Sequence, residues 1–264
     1  MRRILELLEL ATIAIDGPLT LTEISTRAEV PLSTTSRLLA QLVSWGFLLE
    51  NGASQFVPGP RLIRMSVTIA SQLHTPEMLL KSTAALSSLT GESVTGGLLI
   101  RNTMFIVART ESEHPLRAVN RVGELVSPVT SALGQAIMSR LPRERQLQLL
   151  VFAGAQDPEA ELEKLDSELT TAVSKQFAID EGTFAAGLRC RAAPILGADG
   201  LAVGGISIGG PAARFTQEAA ERAIPLLLRE AERLSLNVSG HNGNGNNQNS
   251  HNAHNSNNGQ NIQF

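Results

Sequence analysis

Apolar residues Ile4, Leu8, Ala11 and Ile15 recur at helical spacing, and Gly17-Pro18 closes that stretch. The next periodic segment opens at Thr20, followed three residues later by Glu23, the spacing of a reciprocal N-terminal cap. It predicts a helix through Ile24 to Ala28. Pro31 prevents that helix from continuing, and Ser33 is placed to cap a second one. In the second helix Leu38, Leu39, Leu42 and Val43 form an apolar back. Trp45-Gly46 ends it, after which Phe47–Leu49, Asn51-Gly52 and Gln55–Val57 read as strand, turn and return strand. Three helices and a small hairpin describe a winged helix-turn-helix. Pro58-Gly59-Pro60 breaks the chain, and Leu62, Met65, Ile69 and Leu73 then line one side of a helix that Thr75-Pro76 should end. Such a stripe needs cover, from its own domain core or from the same helix of a second copy.

Beyond a helix over residues 77–90, stopped by Gly91, the period changes from helical to alternating. Strands are expected at Ser93–Ile100, Met104–Arg109 and Leu116–Arg121, the first two joined at Arg101-Asn102. Ser131 is placed to cap a helix through Leu141, and Pro142 leads further helical sequence to about Val151. Pro158–Gln176 reads as one helix, with Leu162, Leu165, Leu169 and Val173 in register. Strands return at Phe177–Asp180, Leu188–Ile195 and Leu201–Ile208, the last two joined by Gly197-Ala198-Asp199-Gly200. Thr216 opens a final helix to about Ser235, with a kink expected at Pro225. Strand runs mixed with helix runs predict an α+β domain on an antiparallel sheet.

The expected organisation is a winged unit over 1–59, a linker helix over 60–75, an α+β domain over 76–239 and a tail over 240–264. The length, 264 residues, suffices for two cores. The tail holds ten asparagines and no Asp, Glu, Lys or Arg, so it is expected to be disordered. His241, His251 and His254 lie in it without acidic or cysteine co-ligands, which argues against a metal site. No apolar run is long enough for a membrane span, and Glu6, Glu9 and Asp16 interrupt the N-terminal stretch. One cysteine, Cys190, leaves no intrachain disulfide and fits a reducing cytoplasm.

Charge sharpens the functional question. The net charge is −3, and residues 1–74 carry six basic and six acidic side chains. DNA binding would therefore rest on placed residues and on a dimer's doubled surface, not on bulk charge. Thr34, Thr35, Ser36 and Arg37 crowd the first turn of the second helix. Small hydroxyls on a helix with a greasy back suit a DNA major groove and its phosphates. An ordinary helical hairpin, in which these hydroxyls only cap, is the competing reading. Thr22 and Arg27, on the preceding helix, complete the candidate set with Ser33.

In the second domain, the strand Leu201–Gly210 puts Ile206 and Ile208 on one face and Gly205, Ser207 and Gly209 on the other. A face stripped to Gly and Ser admits a tightly packed helix or a small ligand. No G-x-G-x-x-G is present, so it is not a dinucleotide loop. Asp180 and Cys190 fall beside it. An enzyme using Cys190 would need an activating base, and outside the tail only His74 and His114 are available. A binding pocket is the better reading, with no cofactor. A third possibility is a ligand-binding or dimerisation protein whose helix-turn-helix serves only as scaffold.

The whole stretch from Ile4 to Ser235 resembles the IclR family of bacterial transcriptional regulators. The match is carried by LTLTEISTRAEVPLSTTSRLLAQLVSWGFL, PGPRLIRM, LTGESV, TSALGQAIMSRLP, and FAIDEGTFAAGLRCRAAPILGADG followed by GGISIGGPAARFT. The resemblance implies a winged helix-turn-helix, a linker helix and a GAF-like effector domain. It further implies dimers or tetramers on palindromic operators, more often as repressors, switched by a small organic metabolite. It places the recognition helix on Ser33–Gln41, with Ser33, Thr34, Thr35 and Arg37 as DNA contacts. It places the effector pocket on Ala132, Leu133, Asp180, Leu188, Cys190, Ser207 and Gly209. Three features depart from the family pattern. The wing Glu50–Gln55 is short and has no basic residue, and Gly209 stands where the family often has Ser. The chain also starts almost inside its first helix, which reads as a shortened lead.

Overall fold

The computed structural model describes residues 2–14, 17–72, 74–118 and 120–244. The chain divides into two compact units, Met1–His74 and Thr75–Phe264.

The first unit contains α1 (Arg2–Ile13), β1 (Leu19–Thr20), α2 (Leu21–Arg27), α3 (Leu32–Ser44), β2 (Leu48–Glu50), β3 (Gln55–Pro58) and α4 (Pro60–Gln72). The reciprocal cap forms as the sequence predicts. The Thr20 hydroxyl accepts from Glu23 N at 3.4 Å, and Glu23 Oε2 accepts from Thr20 N at 2.8 Å. That backbone bond, with the Thr20 hydroxyl behind it, holds the Glu23 carboxyl below its usual range. At α3 the cap differs from expectation: the helix starts two residues early, with Pro31 at the cap and no side-chain cap bond. Proline's fixed φ suits the boundary, so Ser33 lies within the first turn and its side chain is exposed. Leu7, Ile24, Leu39 and Leu48, all fully buried, pack with Phe56 as the core of this unit. Gly46, at φ +74°, turns the chain out of α3 into the hairpin. The hairpin turn is held by Asn51 Oδ1, which accepts from Ala53 N and Gln55 N. β1 adds a third strand beside β3, giving the order β1-β3-β2; two residues are too short to show a period.

The second unit comprises α5 (His74–Thr90), β4 (Ser93–Ile100), β5 (Thr103–Thr110), α6 (Ala132–Met138), α7 (Arg143–Phe152), α8 (Pro158–Lys164), α9 (Asp166–Lys175), β6 (Ala178–Asp180), β7 (Leu188–Leu196), β8 (Ala202–Pro211) and α10 (Gln217–Asn244). Its five strands form one antiparallel sheet in the order β5-β4-β8-β7-β6. Each face carries its own core. One combines Leu133, Ile137, Leu150 and Leu162 from the α6–α9 side with Ala192. The other combines Leu79 of α5 and Leu227 and Leu234 of α10 with Ala193, Ile206 and Ile208. Ala192 and Ala193 thus fall on opposite faces, as alternation requires.

Four sequence expectations are corrected. Thr75-Pro76 does not end a helix but sits in the first turn of α5, where a missing proline N–H costs nothing. Leu116–Arg121 forms no strand among its described residues; the carbonyls of Ala118 and Asn120 accept from the Arg109 guanidinium instead of a neighbouring strand. Pro158–Gln176 is two helices, broken at Leu165, which is buried in the core with Leu162. α10 runs past Ser235 to Asn244, with Pro225 inside it, so the backbone of the first tail residues is helical. Residues 245–264, the rest of the expected tail, lie outside the described residues. The side chains of His241, His251 and His254 do so as well.

Candidate functional site

Two features expected from the sequence acquire a geometry, one in each unit. In the first, α3 buries Leu39 and Leu42 against the winged core and turns Ser33, Ser36 and Arg37 to solvent. Thr34 is half-buried. Thr35 is the exception to the expected set of DNA contacts: it is fully buried, and its hydroxyl faces Val30 O at 3.3 Å and Pro31 O at 3.2 Å. Four residues before Leu39, it shares the inward face of the helix. Its polar group ties α3 to the turn before it instead of facing outward. On α2, Thr22 and Arg27 are exposed. The wing bends back onto the end of α3: Gly59 N donates to Phe47 O at 2.7 Å, and the Arg61 guanidinium lies 4.9 Å from the Phe47 ring centre.

In the second unit, a cavity of about 50 Å³ opens beside the Gly/Ser face of β8. Ala132, Leu133, Asp180, Leu188, Cys190, Ser207 and Gly209, scattered over four elements and their edges, all line it. Sheet register explains the convergence. Asp180 pairs with Cys190, Cys190 with Gly209, and Ser93 with Gly209 from the other side, so residues distant in sequence stand in one row. The two readings of the Gly/Ser strand hold at different positions. At Gly205 a Cβ would come within 2.9 Å of Leu133 Cδ1, so α6 packs there directly on the strand. At Ser207 and Gly209 the face is open to the cavity, and a Cβ at 209 would come within 2.9 Å of Cys190 Sγ.

Ser131 caps α6, accepting from Gly134 N at 3.0 Å and donating to Ser127 O at 2.6 Å, which fixes the cavity floor. Asp180 is 3% exposed. Its Oδ1 accepts from the backbone N–H groups of Gly182, Thr183 and Phe184 at 3.0, 2.7 and 3.3 Å. Its Oδ2 is buried with no hydrogen-bond partner. Burial, with the Asp180 charge next in weight, pushes the Cys190 thiol up to about 12. A thiol so poised stays protonated, the reverse of a nucleophile. Among the described residues no histidine lines the cavity and no metal-ligating cluster forms.

Sequence reasoning did not find the remaining wall. Ser93 and Thr95 come from β4, whose register with β8 no local pattern announces. Ala118 and Asn120 come from the stretch expected to be a strand, and Glu124 and Leu125 from just beyond it. Further along, Glu124 and Val126 follow the edge strand β5, Ile106 N donating to Glu124 O and Val126 N to Met104 O. Arg109, its side chain only 5% exposed, holds the residues before them through Ala118 O and Asn120 O. Burial lowers the Arg109 pKa, and Glu111 opposes that in part.

The IclR helix-turn-helix domain matches residues 3–52, and the C-terminal domain of the bacterial transcriptional regulator IclR matches residues 68–236. The HTH-type transcriptional regulator BhcR of Paracoccus denitrificans is 27% identical over 246 residues, 90% of this chain and 86% of its own length. The transcriptional repressor IclR of Escherichia coli is 26% identical over 239 residues, 85% of each. Among solved structures, an IclR homologue from Microbacterium hydrocarbonoxydans complexed with 4-hydroxybenzoate matches with a TM-score of 0.73 at 20% identity, covering 89% of this chain and 97% of that one. A helix-turn-helix unit followed by an antiparallel-sheet domain, each matched by its own family model, makes this chain a member of the IclR family of bacterial transcriptional regulators, and not an enzyme.

Proposed function

We propose that the chain is a repressor that binds a palindromic operator as a dimer or tetramer, in the cytoplasm, and is switched by a small organic effector. The observation that carries the DNA assignment is the split of α3 between a buried back and an exposed first turn. Ser33, Ser36 and Arg37 stand free to meet base edges and phosphates, with Thr34 at their margin and Thr22 and Arg27 on α2 toward the backbone. Thr35, being buried, supports the helix instead of reading the DNA. Repression is favoured by the E. coli relative, named a repressor. Self-association is supported by α4, where Ile63, Met65, Val67 and Ile69 are each more than 40% exposed. A linker helix with that much bare apolar surface suits pairing with a second copy. No helix among the described residues is long and apolar enough to cross a membrane.

The effector site is the cavity beside β8, and the homologue holding 4-hydroxybenzoate supports a small organic ligand for this fold. The switch is a population shift: an effector moves the equilibrium between arrangements of the two recognition helices only by its difference in affinity for them. The test is a gel-shift titration on the DNA upstream of the protein's own gene, at two salt concentrations. Wild type should bind at nanomolar concentration, weakening with salt. Arg37→Ala should weaken binding roughly ten- to hundredfold through loss of a contact on each protomer, with folding intact. Folded protein that ignores DNA at low salt would instead favour a ligand-binding or dimerisation role with a degenerate DNA-binding unit, a reading that the equal basic and acidic counts of residues 1–74 keep in view.

A further inference from the structure

Helix α4 starts without a cap of its own. Gly59 and Pro60 open it, and neither carries a side chain that could accept from the first turn. The acceptors come instead from the end of α3. There Gly46 N donates to Val43 O and Phe47 N to Leu42 O, both at 2.9 Å, the paired bonds that close a helix after a left-handed glycine. The carbonyls of the same two residues reach α4. Phe47 O accepts from Gly59 N at 2.7 Å, and Gly46 O accepts from Arg61 N at 3.0 Å. Gly46 and Phe47 thus end one helix and cap the next, through main-chain bonds that no side-chain torsion can relax. The Arg61 guanidinium over the Phe47 ring adds a clasp. Gly59 is not among the glycines at positive φ, so close approach alone requires it. A Cβ there would lie 2.8 Å from Phe47 C and 2.9 Å from Gly46 C, and nearer still to Gly46 O, all of it backbone. The compact unit that holds the winged core runs to His74 and so includes α4.

Resting on the DNA-binding and α4-pairing readings above, we propose that this junction welds the linker helix to the recognition helix, with Gly59 as the positioning residue. Two chains paired along α4 then hold their recognition helices at one spacing. The operator is selected by the distance between its half-sites as well as by their bases. Little chain separates the pairing surface from the weld: Ile63, the first of the exposed apolar residues of α4, donates its N–H to Gly59 O at 3.1 Å. Inserting about five base pairs between half-sites turns one of them to the opposite side of the duplex, which a stiff pair cannot follow. A loose junction would follow it, at the expense of the preorganisation that favours the native spacing.

Two measurements on the full chain test it. In hydrogen exchange, the segment Pro58–Arg61 has only the amides of Gly59 and Arg61, because its prolines have none. Both donate across the weld, so they should exchange as slowly as the amides of Gly46 and Phe47. Exchange at the rate of an open chain would overturn the proposal. Gel shifts then use the DNA upstream of the protein's own gene, its half-sites mapped by footprinting, with and without about five inserted base pairs. Wild type should lose roughly tenfold or more in affinity on the insertion. Gly59→Ala should bind an isolated half-site within about threefold of wild type, yet distinguish the two spacings by less than about threefold. Wild type indifferent to the insertion, or a folded Gly59→Ala protein with undiminished discrimination, would also overturn it. Should that variant not fold, two glycines inserted between Gly59 and Pro60 free α4 without crowding and carry the same expectation. Folded wild type that ignores DNA at low salt sinks the DNA reading and the spacing that rests on it. Slow exchange with equal binding at both spacings sinks the spacing alone.

Discussion

Thr35 and Asp180 are both buried polar residues, and they are opposites. The Thr35 hydroxyl faces the carbonyls of Val30 and Pro31, so nothing about it awaits a partner. Asp180 has one oxygen saturated by three donors and the other left bare. The contrast extends to the units that hold them. The winged unit turns its unsatisfied chemistry outward, on the first turn of α3, around a core of Leu7, Ile24, Leu39 and Leu48. The sheet unit turns it inward, onto the bare face of β8. A protein that reads a large, charged, external partner needs the first arrangement. One that reads a small molecule by enclosing it needs the second. The lesson is that burial alone does not sort structural polar groups from functional ones; unsatisfied valence does.

The largest effect that tests this contrast lies at Cys190. A thiol pushed up to about 12 from its ordinary 9.0 should be alkylated by iodoacetamide at pH 8 about a thousandfold more slowly in the native protein than in the unfolded chain. The sign for stability follows. Below pH 9 the thiol is protonated in both states and contributes no pH dependence. Above it the unfolded thiol ionises first, so stability falls as pH rises from about 9 toward 12. Rapid native alkylation would mean a reactive cysteine, and the inward-facing chemistry would then be catalytic in character.

Next in size is Gly134→Ala. A Cβ there would lie 2.1 Å from Ser127 O, backbone against backbone, with no flexible side chain to give way. The floor of the cavity would have to shift, at about 3 kcal/mol, and the unfolding temperature should fall with it. Isolated loss of ligand binding without loss of stability would show that the floor is softer than its packing implies.

How much of this was legible beforehand follows the same division. The winged unit could be read almost element by element, because its signals are local: the Thr20/Glu23 cap, the Gly46 stop, the Asn51-Gly52 turn. The inward wall could be read only in part. Gly205, Ser207 and Gly209 advertise a bare strand face within one stretch, but Ser93 and Thr95 reach the cavity through the pairing of β4 with β8, a contact more than a hundred residues apart. The stretch 116–121 misled for a related reason. Its composition suits a strand, yet the partner that its backbone finds is a side chain, Arg109. Thr35 misled differently: the polar first turn was plain, but its position four residues before the buried Leu39, which sets it on the inward face, weighed less than its place among hydroxyls.

The smallest and most discriminating test returns to Thr35. Thr35→Val keeps shape and removes the hydroxyl, leaving the Pro31 carbonyl without it. Val30 O still accepts from the Ser25 hydroxyl at 2.7 Å, so the loss is partial. The expected cost is about 1 kcal/mol, read as a lower midpoint in urea with an unchanged slope. Operator affinity, measured well below that midpoint, should stay within about twofold of wild type. Arg37→Ala should show the converse, unchanged stability and weakened DNA. If Thr35→Val instead weakens DNA as Arg37→Ala does while the urea midpoint holds, the hydroxyl reaches the DNA after all. The inward-facing and outward-facing sets would then have to be redrawn from α3 outward.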